Sequence, residues 1–141
     1  MPKIYHYCFS VPATANDANG HVNNVAYVQW MQDVATMHSD AQGATRDLYH
    51  RLDSSWVVRS HQVEYLRPAF AGDEIEVLTW VCNLKRSRSL RRYRFLRAAD
   101  QTLLARAETD WVYVNAENGR PRSVDPEVIA AFELVDPEEE P

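Results

Sequence analysis

The stretch NDANGHVNN, residues 16–24, crowds one carboxylate, four amides, a glycine and an imidazole into nine positions. It stands directly before a long run with helical spacing. Capping that helix needs a single Asn or Asp, and Asn23 or Asn24 supplies it. The rest is surplus hydrogen-bonding capacity at the start of a helix. The first N–H groups of a helix have no internal partner and lie at the positive end of the macrodipole. Fixed donors of that kind can hold negative charge as it develops on an oxygen. Asp17 is the only acid between residues 1 and 32. Taken alone, Asp17 is accounted for by an Asx turn, and Gly20 by a backbone conformation other residues resist. His21 stays open between a structural hydrogen bond and contact with a ligand.

The elements that must position these groups follow from periodicity. Residues 23–42 contain no Gly or Pro, and Tyr27, Trp30, Met31, Val34, His38 and Ala41 fall on one helical face. Val25, Val28, Ala35 and Met37 lie off that stripe, so the helix, ~30 Å long at ~1.5 Å per residue, is expected to be largely enclosed. Gly43 is its stop, and 44–53 reads as a short helical or irregular piece. Tyr, Ile, Phe and Val bias marks strands at 3–11, 55–67, 74–84, 88–98 and 102–114. The links at 70–73 and 99–101 are short, which implies antiparallel neighbours for consecutive strands. Asn118-Gly119 is a turn, and Asp125-Pro126 opens a last helix. One sheet with one apolar face can wrap around one helix and bury it. The expected organisation is one domain over 1–134 and a flexible acidic tail over 135–141.

Bulk properties narrow the function classes. The chain has 141 residues, 45% of them hydrophobic and 25% charged, which is ordinary globular chemistry. A net charge of −5 argues against a general nucleic-acid binder. There is no apolar run of about 18 residues for a membrane span, and no apolar segment of a signal peptide near the N-terminus. Cys8 and Cys82 form no CxxC pair and read as reduced thiols, so a cytoplasmic location is expected. No HxH, HExxH or Cys/His cluster suggests a metal. No GxSxG elbow, P-loop or GxGxxG string is present.

A second charged feature lies further on. Lys85, Arg86, Arg88, Arg91, Arg92, Arg94 and Arg97 are seven of the 15 basic residues, in thirteen positions without an acid. Arg92 and Arg94 alternate with Tyr93 and Phe95, so one strand face is charged and the other apolar. A solvated outer face that discourages edge aggregation accounts for most of them.

Strand, Asp-containing loop, GHVNNVAYVQW and a meander of strands together resemble the hotdog fold. This is an α+β architecture in which a curved antiparallel sheet wraps around one long central helix. The chain is similar to the 4-hydroxybenzoyl-CoA thioesterase-like group of acyl-CoA thioesterases from residue 3 to about 132. Asp17-Ala18-Asn19-Gly20, Tyr27 and Trp30, Tyr65-Leu66-Arg67-Pro68 before Gly72-Asp73, and Gly119-Arg120-Pro121 carry the resemblance. It implies hydrolysis of acyl-CoA or acyl-carrier-protein thioesters, with Asp17 as general base or nucleophile. The oxyanion and substrate would meet the helix start around Asn23, Asn24, Val25 and Tyr27. Asp17-x-Asn19-x-His21 also resembles the D-x-N-x-H-V-N-N stretch of plant acyl-carrier-protein thioesterases, where Asn19 and His21 would orient Asp17, water or the thioester. Those enzymes place a second acid where Pro68 stands here. Glu64 would replace it only in another register, and Asp33 lies two or three helical turns in.

The same resemblance implies no cofactor beyond coenzyme A as part of the substrate. Lys85, Arg86 and Arg88 are candidates for its phosphates, and a homodimer or homotetramer is expected. Alternatives are a non-catalytic acyl-thioester binding or regulatory module, a nucleic-acid binder using the arginine strand, and a hydratase or dehydratase on the same fold.

Overall fold

Every strand and helix read from the sequence is present in the computed structural model, which describes residues 3–141. Met1 and Pro2, part of the expected domain, lie outside the described residues. In chain order the elements are β1 (Ile4–Ser10), α1 (Asn24–Ala41), α2 (Arg46–Arg51), β2 (Ser54–Tyr65), β3 (Glu74–Lys85), β4 (Arg88–Arg97), β5 (Thr102–Asn115) and α3 (Pro126–Ala131). Single 3-10 turns lie at Ala13–Ala15 and Pro137–Glu139. All strand pairs are antiparallel, in the order β1-β3-β4-β5-β2.

That order corrects one expectation. β2 and β3 are consecutive in the chain but do not pair. β2 lies on β5 at one edge, and β3 lies between β1 and β4. Residues 66–73 carry the chain across the end of the sheet. Leu66 and Arg67 donate N–H bonds to Leu104 O, and Ala69 O accepts from Val22 N–H. The crossing runs beside the start of α1, so the backbone polar groups of the link are partnered there.

α1 packs one face on the sheet. Tyr27, Met31, Val34, Ala35 and His38 are buried, while Val25, Gln29, Gln32, Asp33 and Thr36 are exposed. The helix is therefore not enclosed on all sides, as its off-stripe apolar residues suggested. The sheet stays open, and Val25 is 72% exposed.

The inner face of the sheet changes character along the helix. One cross-strand row is Val77, Phe95, Ala105 and Tyr65; the next is Thr79, Tyr93, Ala107 and Val63; a third is Val81, Arg91, Thr109 and His61. The first lies under the start of α1, where Tyr27 meets Phe95 at a ring separation of 5.1 Å. The third lies under its end, where Arg91 donates to His38.

Residues 135–141, expected as a flexible tail, are laid against the sheet. Val135 is buried with Leu78 and Trp80, and its N–H donates to Val81 O. Arg92 pairs with Glu140, and Lys3 with Glu139. An apolar anchor and two ion pairs hold the acidic end in place.

Candidate active-site loop and helix entrance

The loop before α1 is closed by its own backbone. Asn16 and Val22 form an antiparallel bridge, and the N–H of Asp17 donates to His21 O at 2.6 Å. Gly20 sits at φ +78°, in the left-handed region that favours glycine, and its N–H reaches Asp17 O at 3.1 Å. The Asp17 side chain joins this turn. Its Oδ1 accepts from Asn19 N–H at 2.8 Å and from His21 N–H at 3.2 Å. Oδ2 has no protein donor among the described residues. One oxygen is thus anchored and the other points free, in an exposed loop.

His21 contributes its backbone to that turn, and its ring stands edge-on to Phe70 at 5.3 Å. Asn19 likewise enters through its N–H. The three residues Asp17, Asn19 and His21 are therefore brought together, with the main chain of the latter two orienting the carboxylate.

The helix entrance is more occupied than an open donor set. Asn23 is the N-cap, and its Oδ1 accepts from Val25 N–H at 2.8 Å. Its own N–H donates to Ala15 O at 2.6 Å. Of the three expected donors, the Asn24 N–H alone has no acceptor among the described residues. The Val25 N–H is taken up by the cap and the Asn23 N–H by the loop carbonyl of Ala15. Asn24 O accepts from the Tyr65 hydroxyl at 3.1 Å, which ties β2 to the first turn.

Tyr27 is 3% exposed and packs edge-on against Trp30, Tyr65 and Phe95. Burial pushes its phenol up to about 12, with the neighbouring Tyr65 adding to the shift. Its hydroxyl is a neutral group near pH 7.

The two spare acids are engaged. Glu64 holds Arg106 through both oxygens at 3.1 and 3.2 Å, and Asp33 accepts from Gln29 at 2.9 Å. The basic candidates are remote. Lys85, Arg86 and Arg88 surround the β3–β4 turn, eleven residues along β3 from Glu74, or ~36 Å at ~3.3 Å per residue. Arg88 forks onto Asp110, and Arg86 Nε donates to Ser123 Oγ at 3.3 Å. Within one protomer they do not meet the Asp17 loop.

Among the described residues, 16–24 line neither of two cavities, one beside Arg92 and Arg106 and one at the far end of α1. The larger, about 630 Å³, lies at the far end of α1 and has the buried Arg91 in its lining. Sequence reasoning set Arg91 among solvated arginines. The signal was available: alternation that puts Arg92 and Arg94 outward puts Arg91 inward with Tyr93 and Phe95. Among the described residues no group of acids, histidines and cysteines could hold a metal ion. No described helix is long and apolar enough to cross a membrane.

Comparison with known proteins agrees with this architecture. A family model described as the thioesterase-like superfamily matches residues 11–132. A chloroplastic palmitoyl-acyl carrier protein thioesterase from Cuphea hookeriana is 32% identical over 95 residues, which is 67% of this chain. That match spans only 23% of the plant enzyme's length. A solved 1,4-dihydroxy-2-naphthoyl-CoA thioesterase from Synechocystis superposes with a TM-score of 0.83 at 18% identity, over 92% of this chain and 95% of its own. A 12:0-ACP thioesterase from Umbellularia californica gives 0.81 at 20% identity, over 98% of this chain and 55% of its own. At those identities the structures speak for the hotdog fold, while the family model covers most of the sequence itself: the chain belongs to the thioesterase-like superfamily.

Proposed function

We propose that the protein hydrolyses acyl thioesters, with Asp17 as the group that activates water or attacks the carbonyl carbon. The observation that carries this reading is the anchored carboxylate. Two loop N–H groups hold Oδ1, and Oδ2 is left to act. The neighbouring entrance of α1 offers the Asn24 N–H to the oxygen of the tetrahedral intermediate. Superfamily membership supports thioester hydrolysis as the reaction class. The substrate is an acyl-CoA or an acyl-carrier-protein thioester, and the protein needs no cofactor of its own.

An oligomer completes the reading. β2 is a twelve-residue edge strand with Val57 45% and Tyr65 42% exposed. Long unpaired edges are normally covered or paired. A two-fold antiparallel pairing of β2 edges reverses one protomer on the other. It would bring the Asp17 loop of one copy toward the far end of α1 and the Lys85–Arg88 turn of its partner, where coenzyme A phosphates find cations. A monomeric mass at micromolar concentration would contradict this assembly.

A second reading, acyl-thioester binding without hydrolysis, is favoured by one observation. Asp17 Oδ1 already serves its own turn, as an ordinary Asx residue does. A thiol-release assay over short, long and aromatic acyl-CoAs separates the two. Turnover that Asp17→Asn lowers about 100-fold or more, with binding preserved, supports hydrolysis through Asp17. Binding without thiol release from any member of the panel supports the second reading.

A further inference from the structure

Arg91 is 5% exposed, on the inner face of β4. Its Nη1 donates to His38 Nδ1 at 2.9 Å and to Thr79 Oγ1 at 3.1 Å. Only Nη1 is engaged among the described residues. No carboxylate among the described residues forms an ion pair with it; the polar groups about it are the hydroxyls of Tyr93 and Tyr49 and the thiol of Cys82. Burial accordingly lowers its pKa. A buried cation with no counter-ion among the described residues is costly, since buried charges are ordinarily paired. The six other basic residues of the 85–97 run are all less buried than Arg91.

Arg91 lines the 630 Å³ cavity between the second half of α1, α2 and the sheet. Its lining is mixed: Val81, Leu84, Trp111 and Phe132 supply apolar wall, and Ser39, Ser54 and Ser89 supply hydroxyls. Ala35 faces it from α1, 7% exposed. Asp40, Arg46 and His50 also line it. A volume of this order suits a small molecule, since such sites span roughly 300–1,000 Å³. The charge asks for an anion, and the apolar wall asks for an apolar body.

We propose that this cavity binds a carboxylate carried on an apolar body, with Arg91 as the partner of the carboxylate. A guanidinium fork matches a carboxylate in plane, and Nε and Nη2 are the atoms that would donate. The carboxylate has two sources: a free organic acid, or the distal carboxylate of a dicarboxylic acid whose other end is a thioester. The site does not depend on thioester hydrolysis, because occupancy is read without any bond being cleaved.

The test is calorimetric titration of the full chain with octanoate, octanamide and inorganic phosphate, with thermal melting alongside. Octanoate should bind at least about tenfold more tightly than octanamide, because a hydrogen bond to a charged group is worth that factor or more. Phosphate should not compete. Arg91→Met should remove the preference for octanoate. That variant changes the buried polar network, so its fold is checked by circular dichroism. Ala35→Leu keeps Arg91 and narrows the cavity, and should weaken octanoate at least about tenfold. The second source is read by comparing suberyl-CoA with octanoyl-CoA as competitors in Asp17→Asn protein. A preference for suberyl-CoA that Arg91→Met erases assigns the distal carboxylate. Equal binding of octanoate and octanamide, with no preference for suberyl-CoA, overturns the proposal, as does octanoate binding unchanged by Ala35→Leu. Loss of thiol release alone bears on the proposed activity and leaves this site standing.

Discussion

The two ends of α1 are built on opposite principles. At its start the sheet beneath is apolar and filled: Tyr27, Trp30, Phe95 and Tyr65 interlock ring against ring. The polar groups there face outward, in the Asp17 loop. At its end the sheet beneath is polar and the space is hollow: Arg91, His38, Thr79 and Thr109 face inward beside a 630 Å³ cavity. About fourteen residues separate Asn24 from His38, so the ends lie ~21 Å apart at ~1.5 Å per residue. The filled end can hold a reagent still on a solvent-facing loop. The hollow end carries a buried charge that a well-packed core would not keep for stability. The proposed activity places reaction at the first end, and the proposed Arg91 site places recognition at the second.

The largest test of this contrast is mechanical. Phe95 is fully buried and touches both Tyr27 and Trp30. Phe95→Ala should cost about 3–5 kcal/mol, the range for emptying a packed aromatic site. A loss below about 1 kcal/mol in urea denaturation would show that the start of α1 is not the tightly packed end.

Next comes a crossed comparison of function. Asp17→Asn should lower thioester turnover by ~100-fold, or about 2.7 kcal/mol, and leave octanoate affinity unchanged. Its melting temperature should hardly move, because an amide oxygen can still accept the two loop N–H groups. Arg91→Met should do the reverse for octanoate. A variant at one end that abolishes both readouts equally would break the division of labour.

A smaller effect concerns the entrance itself. Asn23 caps α1 through Val25 N–H, and Asn23→Ala should destabilise the protein by about 1 kcal/mol, within the usual ~0.5–2. Asn23→Asp keeps the acceptor and should recover most of that loss. If Asn23→Ala lowered turnover far more than its stability cost explains, the Asn23 side chain would belong to the substrate rather than to the cap.

The elements themselves were legible because their signals are local. Alternation along 88–98 and the Tyr27-to-Ala41 stripe locate β4 and α1 without any tertiary knowledge. Strand order was not legible between β2 and β3, because the 66–73 crossing is held by Leu104 and Val22, both distant in sequence. The contacts of the tail were not legible for the same reason: Glu139 and Glu140 pair with Lys3 and Arg92, both distant in sequence. In the candidate site, residue types were readable and bonding was not. Four amides look like a donor set, yet Asn23 spends its acceptor on Val25 and its N–H on Ala15. Arg91 was hidden by its neighbours, since a run of arginines suggests a solvated face although alternate members of a strand point opposite ways.

The smallest test uses the polar row's own titration. His61 Nδ1 bonds Thr109 Oγ1 at 2.8 Å, and Thr109 also bonds the Tyr93 hydroxyl at 2.9 Å. His61 Nε2 is buried without a partner among the described residues. Burial lowers the imidazole pKa below its ordinary 6.5, so the folded state favours the neutral ring. Between pH 6.5 and the lower folded value, the unfolded chain binds more protons than the folded one. Stability from this group is therefore complete above pH 6.5 and declines as pH falls below it. His61→Gln removes the titration and keeps hydrogen-bonding capacity toward Thr109. The fall in denaturation midpoint from pH 7.5 to 5.5 should be smaller in the variant than in the wild type. Equal falls would mean that the imidazole is hydrated at this end of the sheet, and that the polar row is wetter than its burial implies.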